Sequence, residues 1–519
     1  MSRLSRRTFV LGGLAGGLAA AGVAAVPLSA RSQDISIQAT IPYPFKLGVA
    51  SGEPDDNSVV LWTRLAPSPL NADGLGGMGT GDVTVDWQVS TNDKFTGIVS
   101  SGSVVARSAA AHSVHVVAGG LAPDTDYFYR FRAQGHISPV GRTRTAPALG
   151  TFGRDLVMCF ASCQHFESGY YTAHRRIAED NPGLVLFLGD YIYEGGAGTG
   201  GVRTHAGAAE IVSLADYRRR YAQYKTDPDL QASHAAAPWL VVPDDHEVEN
   251  NYAAMVRANN IPALTTAEWT ARRTAAYQAY YENMPLRPAQ ANSGNSIPLY
   301  RRVRWGQLAV FHMLDTRQFR TDQACGDGNQ PASCGDGATR TLPGTTQENW
   351  LLDGLGQHLA TWDILGQQVF FARRIDSGGN TSMDAWDGYT ASRKRIQDGW
   401  VARGTRNPVV LTGDVHRSWA SNLKLDYANT ASPVIGSELV ATSISSDGNG
   451  SGATAIPNVA LNPHLKFYTD RRGYVRTTIS QTQIRADFRF VSSITEHGAG
   501  VSTGGSFVIA DGQPGLQSI

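Results

Sequence analysis

The residues Val185-Leu186-Phe187-Leu188-Gly189-Asp190-Tyr191-Ile192-Tyr193-Glu194 decide how the chain is read. An apolar run of strand length stops abruptly at a Gly-Asp pair. A run without polar alternation predicts a strand covered on both faces, as in a parallel sheet. Open α/β sheets collect their ligands beyond the carboxyl ends of such strands, so Asp190 stands where a ligand site is expected.

Outward from this stretch, strands alternate with helices from about residue 151 to the C-terminus. Strands are expected at Leu156–Ala161, Trp239–Val242, Leu308–Leu314, Gln368–Ala372, Val409–Thr412 and Glu438–Ser443. Helices are expected at Tyr170–Ala178, Ala215–Tyr224, Thr266–Asn283 and Gln347–Leu359. Helical spacing puts Tyr217, Tyr221 and Tyr224 on one face, and turns Trp350, Leu351 and Leu355 inward. Gly-rich segments at 195–201, 326–344 and 447–452 read as surface loops. The last thirty residues are weakly patterned and receive no assignment.

Three further strand ends carry metal-type ligands. One runs into Ser162-Cys163-Gln164. A second continues as Pro243-Asp244-Asp245-His246-Glu247, with Asn250 and Asn251 just beyond. The last continues as Gly413-Asp414-Val415-His416. A single acidic strand end is an ordinary solvated cap. Several, each apolar before and rich in thiol, carboxylate and imidazole after, point to a metal site. Phenol and thiol groups ionise in water only near pH ~10 and ~8.5, and a strongly charged Lewis acid removes those protons. Cys163, Tyr193, Asp190 and His416 together therefore suggest ferric iron. Asp190, Asp245, Asp414 and Asn250 offer oxygen alone, a set suited to a hard, flexible cation such as calcium. His165, His174, His205, His234 and His312 have no spacing that commits them to a site.

The set resembles the calcineurin-like metallophosphoesterases, with Cys163 in place of an Asp-x-His pair, Asp245 in place of an Asn and Asp414 in place of a His. Those departures, with Gly189 to Tyr193, Leu314-Asp315-Thr316-Arg317-Gln318-Phe319-Arg320 and Gly413 to Trp419, resemble the PhoD-type alkaline phosphatases. That family also carries a twin-arginine signal and an N-terminal β domain opening with a segment similar to Gly48-Val49-Ala50-Ser51-Gly52-Glu53-Pro54. The resemblance implies an α/β fold, the four-layer α/β/β/α metallophosphoesterase sandwich, behind an immunoglobulin- or fibronectin-like all-β domain. It implies Fe3+ with one or two Ca2+, Asp190 bridging, and Tyr193 as a ligand; another divalent metal is the alternative. Tyr191, by strand alternation, points the other way into the core. Two such cations clamp a phosphoryl group and activate water. His246 corresponds to the leaving-group or charge-stabilising histidine. Arg317 is a candidate phosphate clamp, its guanidinium fork matching phosphate oxygens; an ion pair with Asp315 is the competing reading.

Residues 31–150 read as all-β. Ser58–Thr63, Val83–Val89 and Ser113–Val117 carry β-branched residues between Gly, Asp and Asn, and Leu121 to Arg130 has the turn-plus-tyrosine form of a sandwich corner. Residues 1–30 read as a twin-arginine signal, Ser5-Arg6-Arg7-Thr8-Phe9-Val10 preceding a short Gly/Ala-rich run, with cleavage near Ala30. The expected location is periplasmic or extracellular, reached through the Tat machinery, with no stable membrane anchor. Lys+Arg and Asp+Glu balance at 45 each, so no global field favours nucleic acid. Loss of Arg3, Arg6 and Arg7 leaves 42 basic against 45 acidic residues. Four cysteines are too few for a disulfide framework, but Cys325 and Cys334 could pair in an oxidising compartment. Three activities fit: an exported alkaline phosphatase or phosphodiesterase acting on small phosphate mono- and diesters, a phospholipase D-like diesterase on the same metals, or a non-catalytic periplasmic phosphate- or metal-binding protein.

Overall fold

A computed structural model describes residues 41–258 and 263–519. The expected signal segment lies outside the described residues. Among those described, no helix is long and apolar enough to cross a membrane.

Two large sheets dominate. The ten-stranded sheet is centred on three parallel strands, Leu156–Ala161, Leu184–Leu188 and Pro238–Val242. The seven-stranded sheet is centred on four, Ala309–Met313, Trp362–Gly366, Pro408–Thr412 and Val434–Val440. Period-two alternation builds the layers. Leu184, Leu186 and Leu188 face the second sheet and pack with Phe311, Ile364 and Leu411. Val185 and Phe187 face the other way and meet Tyr217, Tyr221 and Tyr224 of the Leu214–Lys225 helix. On the far side, Leu365 and Val410 pack with Leu351, Ile396 and Trp400 of the Thr345–Leu355 and Thr390–Arg403 helices. The order is helix, sheet, sheet, helix, the four-layer arrangement expected.

The N-terminal β segment divides its strands. Ile98–Ala106, Val83–Ser90, Asp126–Ala133 and His136–Ile137 form a separate sheet, with Gly141–Arg144 pairing Asp126–Ala133. Val49–Gly52, Ser58–Arg64 and Ser113–Gly119 instead extend the ten-stranded sheet, Val49–Gly52 running parallel to Pro238–Val242. Tyr127 closes the expected corner, its hydroxyl accepting the Ala122 N–H at 2.9 Å.

Two sequence expectations require correction or completion. Gln368–Ala372 is a loop, and the strand lies earlier, at Trp362–Gly366. The loop's N–H groups go to a buried carboxylate rather than a neighbouring strand: Glu438 accepts from Phe371 (2.8 Å) and Ala372 (2.9 Å). The unassigned last thirty residues supply Val501–Ala510 and Gln513–Ser518, which with the preceding Gln483–Val491 form an antiparallel edge of the ten-stranded sheet. Cys325 and Cys334 are joined, their Cα atoms 5.9 Å apart.

Candidate active site

The carboxyl ends of parallel strands from both sheets meet at one place. Two glycines make the approach possible. A Cβ on Gly189 would stand 2.4 Å from the Asp244 Cβ, and one on Gly413 would stand 2.5 Å from the Ser162 Oγ. Each Gly-Asp pair therefore sets a strand end directly against another junction. The residues that follow turn sharply: Cys163, Asp190, Asp414 and His416 all have φ between 50° and 61°. Non-glycine residues rarely adopt this region, and such outliers gather at functional sites.

Three groups of side chains result: Cys163 with Asp190 and His416; Asp190 with Asp245 and His246; Asp244 with Asp245 and Asp414. Within each, potential ligand atoms lie within 4.8 Å of one another. Asp190 belongs to two groups and Asp245 to two. Tyr193 Oη donates to Asp190 Oδ2 at 3.0 Å and lies 3.1 Å from His416 Nε2. His416 Nδ1 is 2.9 Å from Asp447 Oδ2, which directs Nε2 toward Asp190 and Tyr193. His246 Nδ1 bonds Glu194 Oε2 at 2.6 Å, and the Asn250 backbone N–H donates to Glu194 Oε1 at 2.7 Å. Tyr191 turns to the core, its hydroxyl 2.8 Å from His234 Nε2. Cys163, Asp190, Tyr193, Asp245, Asp414 and His416 are thus drawn to one region, whereas Asn250 is tied to it through its backbone N–H.

The donor set fits cations. Asp190 Oδ1, Asp244 Oδ2 and Asp245 Oδ1 are buried without a hydrogen-bond partner, an arrangement that costs several kcal/mol unless a counter-charge is present (order of magnitude). Burial raises Asp414 to about 7, with Asp384 and Asp245 adding to the rise. Burial likewise raises Asp244 and Asp245. Burial, then Asp190, holds the Cys163 thiol and the Tyr193 phenol well above their ordinary values. For Asp190 burial acts the same way, but the charges of His246 and His416 overcome it and lower the group to about 2. The acids of the cluster outnumber the positive charges that Arg317, His246 and His416 bring to it.

Arg317 corrects the sequence reading twice. Its guanidinium is 1% exposed and fully engaged, with Nε on Asp244 (2.5 Å) and the two terminal nitrogens on Asp384 (2.7 and 2.8 Å). It has no free fork for a phosphate. Nor is its guanidinium the partner of Asp315, whose Oδ1 instead accepts the Arg317 backbone N–H at 3.0 Å. Arg317 is the counter-ion beneath the acidic group.

A cleft of about 680 Å3 opens over Tyr193, His246, His416 and Asp447. Glu167 and His165 stand on its wall; with His205 they make a further close group, in which the Glu167 carboxylate accepts the N–H groups of Gly198 and His205 and so folds the 195–205 loop. Sequence reading missed Glu194, Asp244 as a group member, Ser446 and Asp447. Asp244 and Glu194 abut residues it named. Ser446 and Asp447 lie where a Gly-rich loop begins, and composition says nothing of where such a loop folds back.

Residues 158–488 match the family model for PhoD-like phosphatases, and residues 30–147 match the model for that family's N-terminal domain. The chain belongs to the PhoD-like phosphatase family. It is 49% identical over 490 residues to alkaline phosphatase D of Bacillus subtilis (strain 168), covering 92% of this chain and 82% of that one. A solved structure of PhoD superposes with a TM-score of 0.88 at 48% identity, covering 92% of each chain. Membership makes the chain a phosphatase, and the junctions described above all fall within the matched region.

Proposed function

We propose that this phosphatase is a metal-dependent hydrolase of phosphate mono- and diesters and that its centre is the cluster around Asp190. One observation carries the reading: the Asp190 carboxylate is shared by two ligand groups while its Oδ1 is buried and unpartnered. Cys163, Asp190, Tyr193 and His416 would hold ferric iron. Asp190, Asp244, Asp245 and Asp414, with Asn250 nearby, would hold calcium in an oxygen-only setting. Bound cations supply charge for the phosphoryl oxygens and lower the pKa of water.

The chain's own residues do the rest. Glu194 fixes the His246 imidazole through Nδ1, leaving Nε2 to donate a proton to the departing alkoxide. Burial opposes the His246 charge, but Glu194 and then Asp245 and Asp190 outweigh it and raise its pKa well above the ordinary value. Arg317 keeps Asp244 and Asp384 ordered beneath the cluster. Export by the Tat route is part of the proposal, supported by Arg6-Arg7 ahead of an apolar run and by the Cys325–Cys334 bridge.

The test is turnover of 4-nitrophenyl phosphate and bis(4-nitrophenyl) phosphate by protein of known metal content, before and after chelation. Activity on both, lost with the metals and restored by iron and calcium, is expected, together with a visible ferric–phenolate absorption band. A colourless, iron-free preparation with full activity would sink the metal assignment. Absence of turnover by metal-replete protein would favour a binding role instead.

A further inference from the structure

A second cleft, about 500 Å3, adjoins the cluster on the Asp414 side and shares Asp447 with the first. Its wall includes Arg374, Arg417 and Tyr468. The ribbon of Asn329–Pro331 paired with Asn380–Ser382 lines it from outside, near the Cys325–Cys334 bridge.

Arg374 is the unusual group here. Its guanidinium stacks over Phe370 (4.9 Å to the ring centre) and Trp419 (5.4 Å). Among the described residues it has no hydrogen-bond acceptor and no carboxylate within ion-pair distance, and only its backbone N–H is engaged, by Asp387 at 2.8 Å. The carboxylates of the cleft are otherwise occupied. Asp447 bonds His416 and lies 3.6 Å from Arg417. Asp376 accepts the N–H groups of Gly378 and Asn380. Asp414 belongs to the acidic cluster. Two aromatic rings hold a guanidinium in place with its donors unspent, an arrangement suited to an anion.

Resting on the hydrolytic reading above, we infer that this cleft binds the retained substituent of a phosphodiester and that Arg374, assisted by Arg417, recognises a second anionic group on it. The division follows from His246. The proposed proton donor faces the first cleft, so the departing alcohol leaves there. A diester's other substituent then needs separate room, and the Asp414 side provides it.

The test holds the leaving group constant. Two 4-nitrophenyl phosphodiesters are compared, one with 3-hydroxypropanoate and one with 3-hydroxypropanamide as the second alcohol, and kcat/KM is measured with metal-loaded protein. Wild type is expected to favour the carboxylate by about tenfold to a hundredfold, the usual range for a charge-assisted hydrogen bond. Arg374→Gln should bring the ratio to near one, Arg374→Lys should retain part of it, and Arg417→Gln should reduce it. A ratio near one in wild type, or an unchanged ratio in Arg374→Gln at equal metal content, overturns the subsite. Hydrolysis of 4-nitrophenyl phosphate but of neither diester overturns the diester reading itself and the subsite with it.

Discussion

Asp190 shows what a single side chain contributes. Its backbone is held at φ 57°, its N–H is bound by Glu247 at 3.2 Å, and one carboxylate oxygen is taken by Tyr193 while the other has no partner. Under the proposed function, Asp190→Asn removes the shared charge, and both metals and activity should be lost together; full retention of iron and calcium by elemental analysis would contradict this. His246→Ala removes a proton donor and no proposed ligand. Metals should stay while turnover falls by about a hundredfold to ten-thousandfold, and an unchanged kcat would reassign the residue. Arg317 shows where residue-level reading fails. A guanidinium beside ligand-type residues suits a phosphate or a carboxylate equally, and only its contacts with Asp244 and Asp384 reveal which it meets.

At the scale of elements, the site depends on how closely strand ends approach. Gly189 sits at φ 95° and packs on Asp244, so an added methyl group strains the backbone and meets neighbouring atoms at 2.4 and 2.8 Å. Gly189→Ala should destabilise the fold by roughly 2–5 kcal/mol and separate the Leu184–Leu188 junction from that of Pro238–Val242, with loss of metal. Gly195→Ala, where an added Cβ meets nothing within 4 Å, should change neither. Comparing denaturant midpoints and metal content of the two variants checks this, and equal behaviour would contradict it. The Gly-Asp pairs were legible in the sequence as strand ends. Their partners were not, because Gly189–Asp244 and Gly413–Ser162 are contacts between segments far apart along the chain.

At the scale of the whole molecule, segments from both sheets bury acids that repel one another. Burial first, then the Asp190 charge, raises Glu247 to about 8, and Asp414 stands at about 7. Carboxyls with raised folded-state values contribute stability below their unfolded values near pH 4, and that contribution is lost as pH rises through about 7 and 8. Metal-free protein should therefore lose this contribution between about pH 5 and pH 8, superimposed on the opposite trend of the buried neutral histidines, which is common to both forms. Metal-loaded protein should not, because bound cations favour the ionised ligands. The Tm gap between the two forms should widen with pH across this window, and a constant gap would show that the acids do not form one coupled site.

Sequence by itself determined the alternation of strands and helices and the apolar strands ending in Gly-Asp, Cys and His, and hence the family. These are local signals: covered strands read as continuous apolar runs, and thiol, carboxylate and imidazole residues stand out at their ends. Tertiary structure alone decided the rest. It placed three of the eight N-terminal strands in the main sheet, gave the weakly patterned C-terminus its edge strands, brought Ser446 and Asp447 to Tyr193 and His416, and turned Arg317 beneath the cluster while leaving Arg374 in the second cleft. Edge strands and loops are set by what they pack against, and a buried charge by which opposite charge reaches it first; neither is encoded in residue spacing.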